Sequence, residues 1–153
     1  MDGLEISVNR VIHAPASKLF AIVSDANRHP EIDGSGTVIK TKGDTPQQLK
    51  LGSKFGMSMK MGVPYSMMNT VIEFEQDKLI AWQTALAGPL GRLVGGRIWR
   101  YRFEESDGST AVTETWDISQ DKQKFMLKVG PPAKGTAESM TKTLERLAQI
   151  TEG

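Results

Sequence analysis

The stretch that decides the fold runs Arg97-Ile98-Trp99-Arg100-Tyr101-Arg102-Phe103-Glu104-Glu105, then Asp107-Gly108, then Thr110-Ala111-Val112-Thr113-Glu114-Thr115-Trp116-Asp117-Ile118-Ser119. Trp99, Tyr101 and Phe103 alternate with Arg100, Arg102 and Glu104, which is the period-two pattern of a strand with one apolar face. Asp-Gly between two such runs is a strong hairpin signal, because a two-residue turn needs positive φ angles. The segment therefore reads as two antiparallel strands. Upstream the same period recurs at Thr37–Lys42, Ser53–Gly62, Tyr65–Glu75 and Leu79–Ala87. These runs are punctuated by Gly43-Asp44-Thr45-Pro46, Gly62-Val63-Pro64 and Gln76-Asp77. On the third run Thr70, Ile72 and Phe74 are expected to oppose Val71, Glu73 and Glu75.

The two ends of the chain change period. Leu4–Ile12 alternates as a first strand. Pro15 suits the opening turn of a helix, where its missing N–H costs nothing, and Leu19, Phe20, Ile22 and Val23 follow as one apolar stripe. A second short helix is expected from Ala26 to about Glu31. At the other end Ala137, Met140, Leu144, Leu147 and Ile150 recur every three or four residues, the signature of an amphipathic helix. Short turns between consecutive strands imply an antiparallel sheet, and its apolar face needs a cover. The expected architecture is α+β: a curved seven-stranded antiparallel sheet wrapped around a long C-terminal helix, with two short helices after the first strand. Residues 1–153 read as a single domain.

Composition narrows the function classes. The 153 residues carry 19 basic and 18 acidic side chains, a net charge of +1, which makes no electrostatic case for nucleic acid. There is no cysteine, which excludes disulfides and thiolate chemistry. The Met-Asp-Gly-Leu-Glu-Ile start lacks the basic and apolar regions of a secretory signal. The uncharged stretch from Leu79 to Gly91 is too short to span a bilayer. These features lead to an expectation of a cytoplasmic protein with no integral membrane association, no metal and no cofactor, as a monomer or homodimer.

The order of motifs resembles the START-like helix-grip superfamily (SRPBCC), which includes polyketide cyclases and dehydrases and lipid-transport domains. The resemblance rests on Val11-Ile12-His13-Ala14-Pro15-Ala16-Ser17-Lys18-Leu19-Phe20, where an apolar strand passes through a small-Pro-small segment into a helix. It rests also on Tyr101-Arg102-Phe103 with Gly108-Ser109-Thr110-Ala111-Val112-Thr113-Glu114, and on the terminal helix. It implies a deep cavity between sheet and last helix, and binding or transport of a hydrophobic small molecule, a lipid or a polyketide-like aromatic. The alternative it allows is a cyclase or dehydratase using the same cavity.

Wall candidates follow from residue chemistry. Met57, Met59 and Met61 share a strand face, and methionine adapts to varied apolar ligands. Trp82, Trp99 and Trp116 fall on three successive strands and would line one wall if the strands pair in register; ordinary core packing explains each alone. Tyr101 and Met140 complete the set. Glu114 shares parity with Val112, Trp116 and Ile118, so an inward face would bury a carboxylate suited to acid–base work or to a ligand hydroxyl; pairing with Arg97 or Arg100 is the structural alternative. His29 is the other catalytic candidate. With Glu31 and Asp33 it forms a polar trio beside a turn, matching no zinc spacing. The glycine-rich run Gly88–Arg97 lacks a phosphate-loop lysine and reads as a loop gating the cavity.

Overall fold

The computed structural model describes residues 5–25, 28–32, 38–42, 49–61, 63–86, 95–122 and 131–152. The elements are β1 (Glu5–Ile12), α1 (Ala16–Val23), α2 (His29–Ile32), β2 (Val38–Lys42), β3 (Lys54–Met61), β4 (Val63–Glu75), β5 (Leu79–Leu86), β6 (Gly95–Ser106), β7 (Ser109–Asp117) and α3 (Pro131–Glu152). One antiparallel sheet runs in the order β1-β7-β6-β5-β4-β3-β2, so the first strand closes onto the last and the middle strands form a meander. The Asp107-Gly108 turn behaves as its residues dictate. Its φ angles, 53° at Asp107 and 82° at Gly108, lie in the left-handed region that a tight hairpin requires, and Ser106 pairs with Ser109 across it.

Three strands depart from regular pairing among the described residues: β2, where the register shifts between Val38 and Lys40, and two nearer the site. In β4 the register shifts between Val71 and Glu73, a β-bulge opposite Ala81 and Trp82 of β5. Met67, Asn69 and Val71 point inward before it and Phe74 packs on the core after it, while Ile72 is 37% exposed. Thr70, Ile72 and Phe74 thus do not share a face as expected. β4 also begins at Val63, paired with Met61, so Val63 and Pro64 belong to the strand and not to the expected turn; Gly62 lies outside the described residues. The second departure is at the start of β6, which opens on Gly95-Gly96 with φ of 121° and 110°. A Cβ on Gly95 would lie 2.4 Å from Ala85 Cα, and one on Gly96 2.4 Å from the Gln120 carbonyl oxygen, so only glycine fits this crossing. Both belong to the glycine-rich run; its residues 88–94 lie outside the described residues, and the gating expectation with them.

The helices cover the concave face. Leu19, Phe20, Ile22 and Val23 of α1 are buried, and Phe20 meets Phe74 and Phe103 edge-on at 5.5 Å each. No side chain at Pro15 caps α1; instead Glu105 of β6 reaches over, and the Ala16 N–H donates to its Oε1 at 2.7 Å. α2 is a single turn, short as the His29-Pro30 pair implies, with a proline directly after its first residue; residues 26–27 of the expected helix lie outside the described residues. α3 packs on β1, β7, α1 and α2. Its buried stripe is Met140, Leu144, Leu147, Ala148 and Thr151, and Ile150 lies off it in solvent. The helix end is tied down by Lys18 Nζ donating to the Thr151 carbonyl at 2.9 Å and by the His13 N–H donating to Glu152 Oε2 at 2.8 Å.

The core is divided. A larger cluster gathers α1, α2, Phe55, Trp82, Tyr101, Phe103, Val112, Leu144 and Leu147, while Trp116, Ile118 and Met140 form a smaller one. Val8 and Trp99 are only partly buried and touch both.

Candidate functional site

The hairpin register sets the geometry of the concave wall. Trp82 pairs with Trp99, Trp99 with Trp116 and Trp116 with Ile6, so the three tryptophans belong to one row across four strands. The Trp99 and Trp116 ring centroids are 6.3 Å apart. In the next row Tyr101 pairs with Glu114, and Glu114 with Val8. Trp82 links the rows to the helices. It lies 5.6 Å from Tyr101, stacks on His29 at 4.9 Å and meets Phe55 edge-on at 5.6 Å.

Glu114 does point inward and is 2% exposed. Its Oε2 accepts the Tyr101 phenol proton at 2.9 Å. Along β7 the inward residues are Val112 of the larger cluster, Glu114, then Trp116 of the smaller, so the carboxylate lies at the seam between the two. The expected alternative partners are engaged elsewhere. Arg100 faces the opposite side of the sheet and grips Glu73 with two bonds of 2.8 Å, reaching across β5 where Ala81 offers no obstruction. The Arg100 hydrogen bond holds the Glu73 carboxyl below the usual carboxylate range, against the opposing effect of burial, and the same bond raises the Arg100 guanidinium. Arg97 pairs with the buried Asp121 at 3.1 Å.

His29 is buried among rings. Its Nε2 lies 2.7 Å from the Val23 carbonyl oxygen. A carbonyl only accepts, so Nε2 carries the hydrogen and is committed to holding the ring in place. Glu31 is exposed and pairs with Arg28 at 3.1 Å, so it does not converge with His29; Asp33 lies outside the described residues. Among the described residues no three acidic, histidine or cysteine groups come together as a metal site.

The structure thus gathers Trp82, Trp99, Tyr101, Trp116, Glu114 and His29 into one connected set on the inner side of the sheet, with Met140 in the same cluster as Trp116. Met57, Met59 and Met61 lie on β3, and their side chains fall outside the described residues. Two inward polar residues are not anticipated by the sequence reading. Thr84 donates to Asn69 Oδ1 at 2.6 Å, and the Asn69 amide donates to the Phe55 carbonyl at 3.3 Å, all buried. Parity with Trp82 on β5 and Val71 on β4 is the signal that locates them. A separate cleft of about 500 Å³ opens beside the start of α1 and the β4–β5 turn, with Glu75, Lys78, Arg102, Glu104 and Glu105 around Phe103. Its charged rim sets it apart from the apolar cavity expected under α3.

A curved antiparallel sheet gripping a C-terminal helix, with an aromatic concave wall, defines the helix-grip class. The chain belongs to the family described as polyketide cyclase / dehydrase and lipid transport, whose model matches residues 4–152. It is 38% identical over 144 residues to the uncharacterized protein Rv0088 of Mycobacterium tuberculosis, a match covering 90% of this chain and 59% of that protein. The chain therefore spans somewhat over half the length of that relative. Among solved structures, protein NE0264 from Nitrosomonas europaea aligns with a TM-score of 0.73 at 12% identity, over 98% of this chain and 95% of that one. Protein CV1439 from Chromobacterium violaceum aligns with a TM-score of 0.72 at 14% identity, over 98% of both chains. The Aha1 dimer from Colwellia psychrerythraea has a TM-score of 0.69 at 14% identity, over 97% of this chain and 96% of that one. At such identities these likenesses concern the fold. No helix among the described residues is long and apolar enough to cross a membrane.

Proposed function

We propose that this protein binds and carries a hydrophobic small molecule, a lipid or a polyketide-like aromatic, against the concave wall of its sheet. The observation that carries the reading is Glu114: a carboxylate at the seam between two apolar clusters, hydrogen-bonded to Tyr101 and bordered by the tryptophan row. Apolar surface would supply most of the affinity, and a few polar atoms the orientation. Trp82, Trp99, Tyr101, Trp116 and Met140 are the wall, with Met57, Met59 and Met61 as its continuation on β3. Val8 and Trp99, in contact with both clusters, mark where a ligand would part them. The protein is read as cytoplasmic, monomeric or homodimeric, and without nucleic-acid partners, in keeping with its net charge of +1.

A second reading is favoured by the same pair. A buried carboxylate beside a phenol suits the proton exchange of a cyclase or dehydratase. The two readings part on turnover. Native mass spectrometry of the purified protein would identify a co-purified ligand, and that ligand would be offered to the parent and to Glu114→Gln. A carrier gives altered affinity and no product from either protein. Product formed by the parent and reduced about a hundredfold or more in the variant, with binding intact, installs the enzyme.

A further inference from the structure

We infer that the ligand carries a carboxylate, and that Arg97 is the residue that reads it, one row beyond the tryptophans on the inner face. This inference rests on the binding reading above and adds the chemistry and the direction of the ligand's polar end. It follows from the register of β5 and β6. Trp82 pairs with Trp99, and Thr84 with Arg97, two residues away on each strand, so Arg97 shares a face with Trp99 and Tyr101 and not with Arg100. Thr84 pairs in turn with Asn69, and Asn69 with Phe55. The row Asn69, Thr84 and Arg97 thus runs beside the tryptophan row, on the side away from Glu114.

This row is polar where its neighbour is aromatic, and it has hydrogens to give. The Asn69 amide donates to the Phe55 carbonyl at 3.3 Å, which fixes its orientation, and its oxygen accepts the Thr84 hydroxyl hydrogen at 2.6 Å; its second amide hydrogen has no partner among the described residues. Arg97 donates from Nε to Asp121 Oδ2 at 3.1 Å, and among the described residues its Nη1 and Nη2 have no hydrogen-bond partner. The backbone holds Asp121 in place: its N–H donates to the Ile118 carbonyl at 3.0 Å, and the Lys122 N–H to the Gly95 carbonyl at 2.9 Å. The guanidinium is therefore anchored through one nitrogen, and the fork of the other two matches a carboxylate with two parallel bonds. Arginine keeps its charge at every working pH. The Arg97 side chain is 23% exposed while Asn69 and Thr84 are buried, so an anion docked on it stays partly hydrated as the apolar body lies inward over Trp99. The row holding Glu114 is roughly 13 Å further along β6, at about 3.3 Å per residue, which leaves room for a ring system between the two. An ester carbonyl offers the fork a weaker acceptor, and an ammonium offers none.

Two apolar bodies, a naphthalene and a dodecyl chain, each carrying a carboxylate, its methyl ester or an ammonium group, test this by calorimetric titration at neutral pH. On whichever body binds, the carboxylate should bind on the order of tenfold tighter than the ester, as for hydrogen bonds to a charged group, and the ammonium most weakly. The two series distinguish an aromatic from a lipid source of the same carboxylate. Arg97→Gln should bring carboxylate and ester level while leaving the ester's affinity unchanged. A melting curve shows whether the variant is folded. Because it takes a bond from the buried Asp121, the double change Arg97→Gln with Asp121→Asn decides if the single variant unfolds, and the parent ranking decides if neither folds. Ester or ammonium binding as tightly as carboxylate in the parent overturns the inference while leaving the binding reading standing. So does a carboxylate preference that survives the loss of Arg97 in a folded variant. Failure of every probe to bind counts against the binding reading itself, and the inference falls with it.

Discussion

Arg100 and Tyr101 are neighbours on β6, and each holds a glutamate from another strand, one on each face of the sheet. On the outer face Glu73 keeps about a third of its side-chain surface in water and is gripped by a guanidinium. On the inner face Glu114 is buried and receives a phenol proton. Partial exposure and a full charge make the outer pair the more tolerant: Glu73, its more exposed member, can be solvated when Arg100 is lost. The inner carboxylate is shut off from water, so it is costly to keep and depends on the groups packed around it. One strand thus separates a partly exposed ion pair on the outside from a buried carboxyl–phenol pair on the inside.

The largest expected effect comes from disturbing the inner side. Leu144 of α3 is among the most completely buried side chains of the core. Leu144→Asp should cost several kcal/mol, as a buried and unpaired charge does after relaxation. Chemical denaturation measures it, and a variant that unfolds like the parent would show that α3 does not seal the sheet. Next in size is the contrast between the pairs themselves. Tyr101→Phe should cost about 1–3 kcal/mol by stripping a buried acceptor of the phenol hydrogen, whereas Arg100→Met should cost about 1 kcal/mol, since water replaces much of what Glu73 loses. Equal losses would erase the distinction between the faces.

The smallest effect is the pH dependence of the outer pair. Because Arg100 lowers the folded carboxyl of Glu73 below its unfolded value, the pair's contribution is present above the ordinary carboxylate range and is lost as pH falls through the folded value. Glu73→Gln should therefore melt slightly below the parent at neutral pH, by no more than about 1 kcal/mol after solvent screening. The gap should close in acid. A gap that widens as the pH drops would reverse the sign and remove Arg100 as the cause.

Much of this arrangement is legible in the residues themselves, and the failures have physical reasons. The Asp107-Gly108 turn has two residues, so the residues paired across it follow by counting outward: Trp99 with Trp116, Tyr101 with Glu114. The expected pairing of Glu114 with Arg97 or Arg100 fails on the same count, which puts Thr115 opposite Arg100. The burial of Glu114 is readable from parity with Val112 and Trp116. The bulge in β4 is not, because Thr70-Val71-Ile72-Glu73-Phe74 are all acceptable strand residues in either frame. Spacing alone puts Ile150 on the helix stripe, while the stripe drifts with the helical repeat toward Ala148 and Thr151. The aromatic role of His29 depends on a carbonyl six residues earlier in the chain and a ring on β5, contacts that no local pattern encodes.

The β4 bulge also changes what the gene can lose. Removing one residue from the middle of a paired strand ordinarily turns every later side chain to the wrong face. Here Val71 pairs with Trp82 and Glu73 with Ala81, so Ile72 is the supernumerary residue. An in-frame deletion of its codon would leave Val71 inward, Glu73 beside Arg100 and Phe74 on the core. At this place in a central strand, shortening the chain regularises the strand instead of scrambling it.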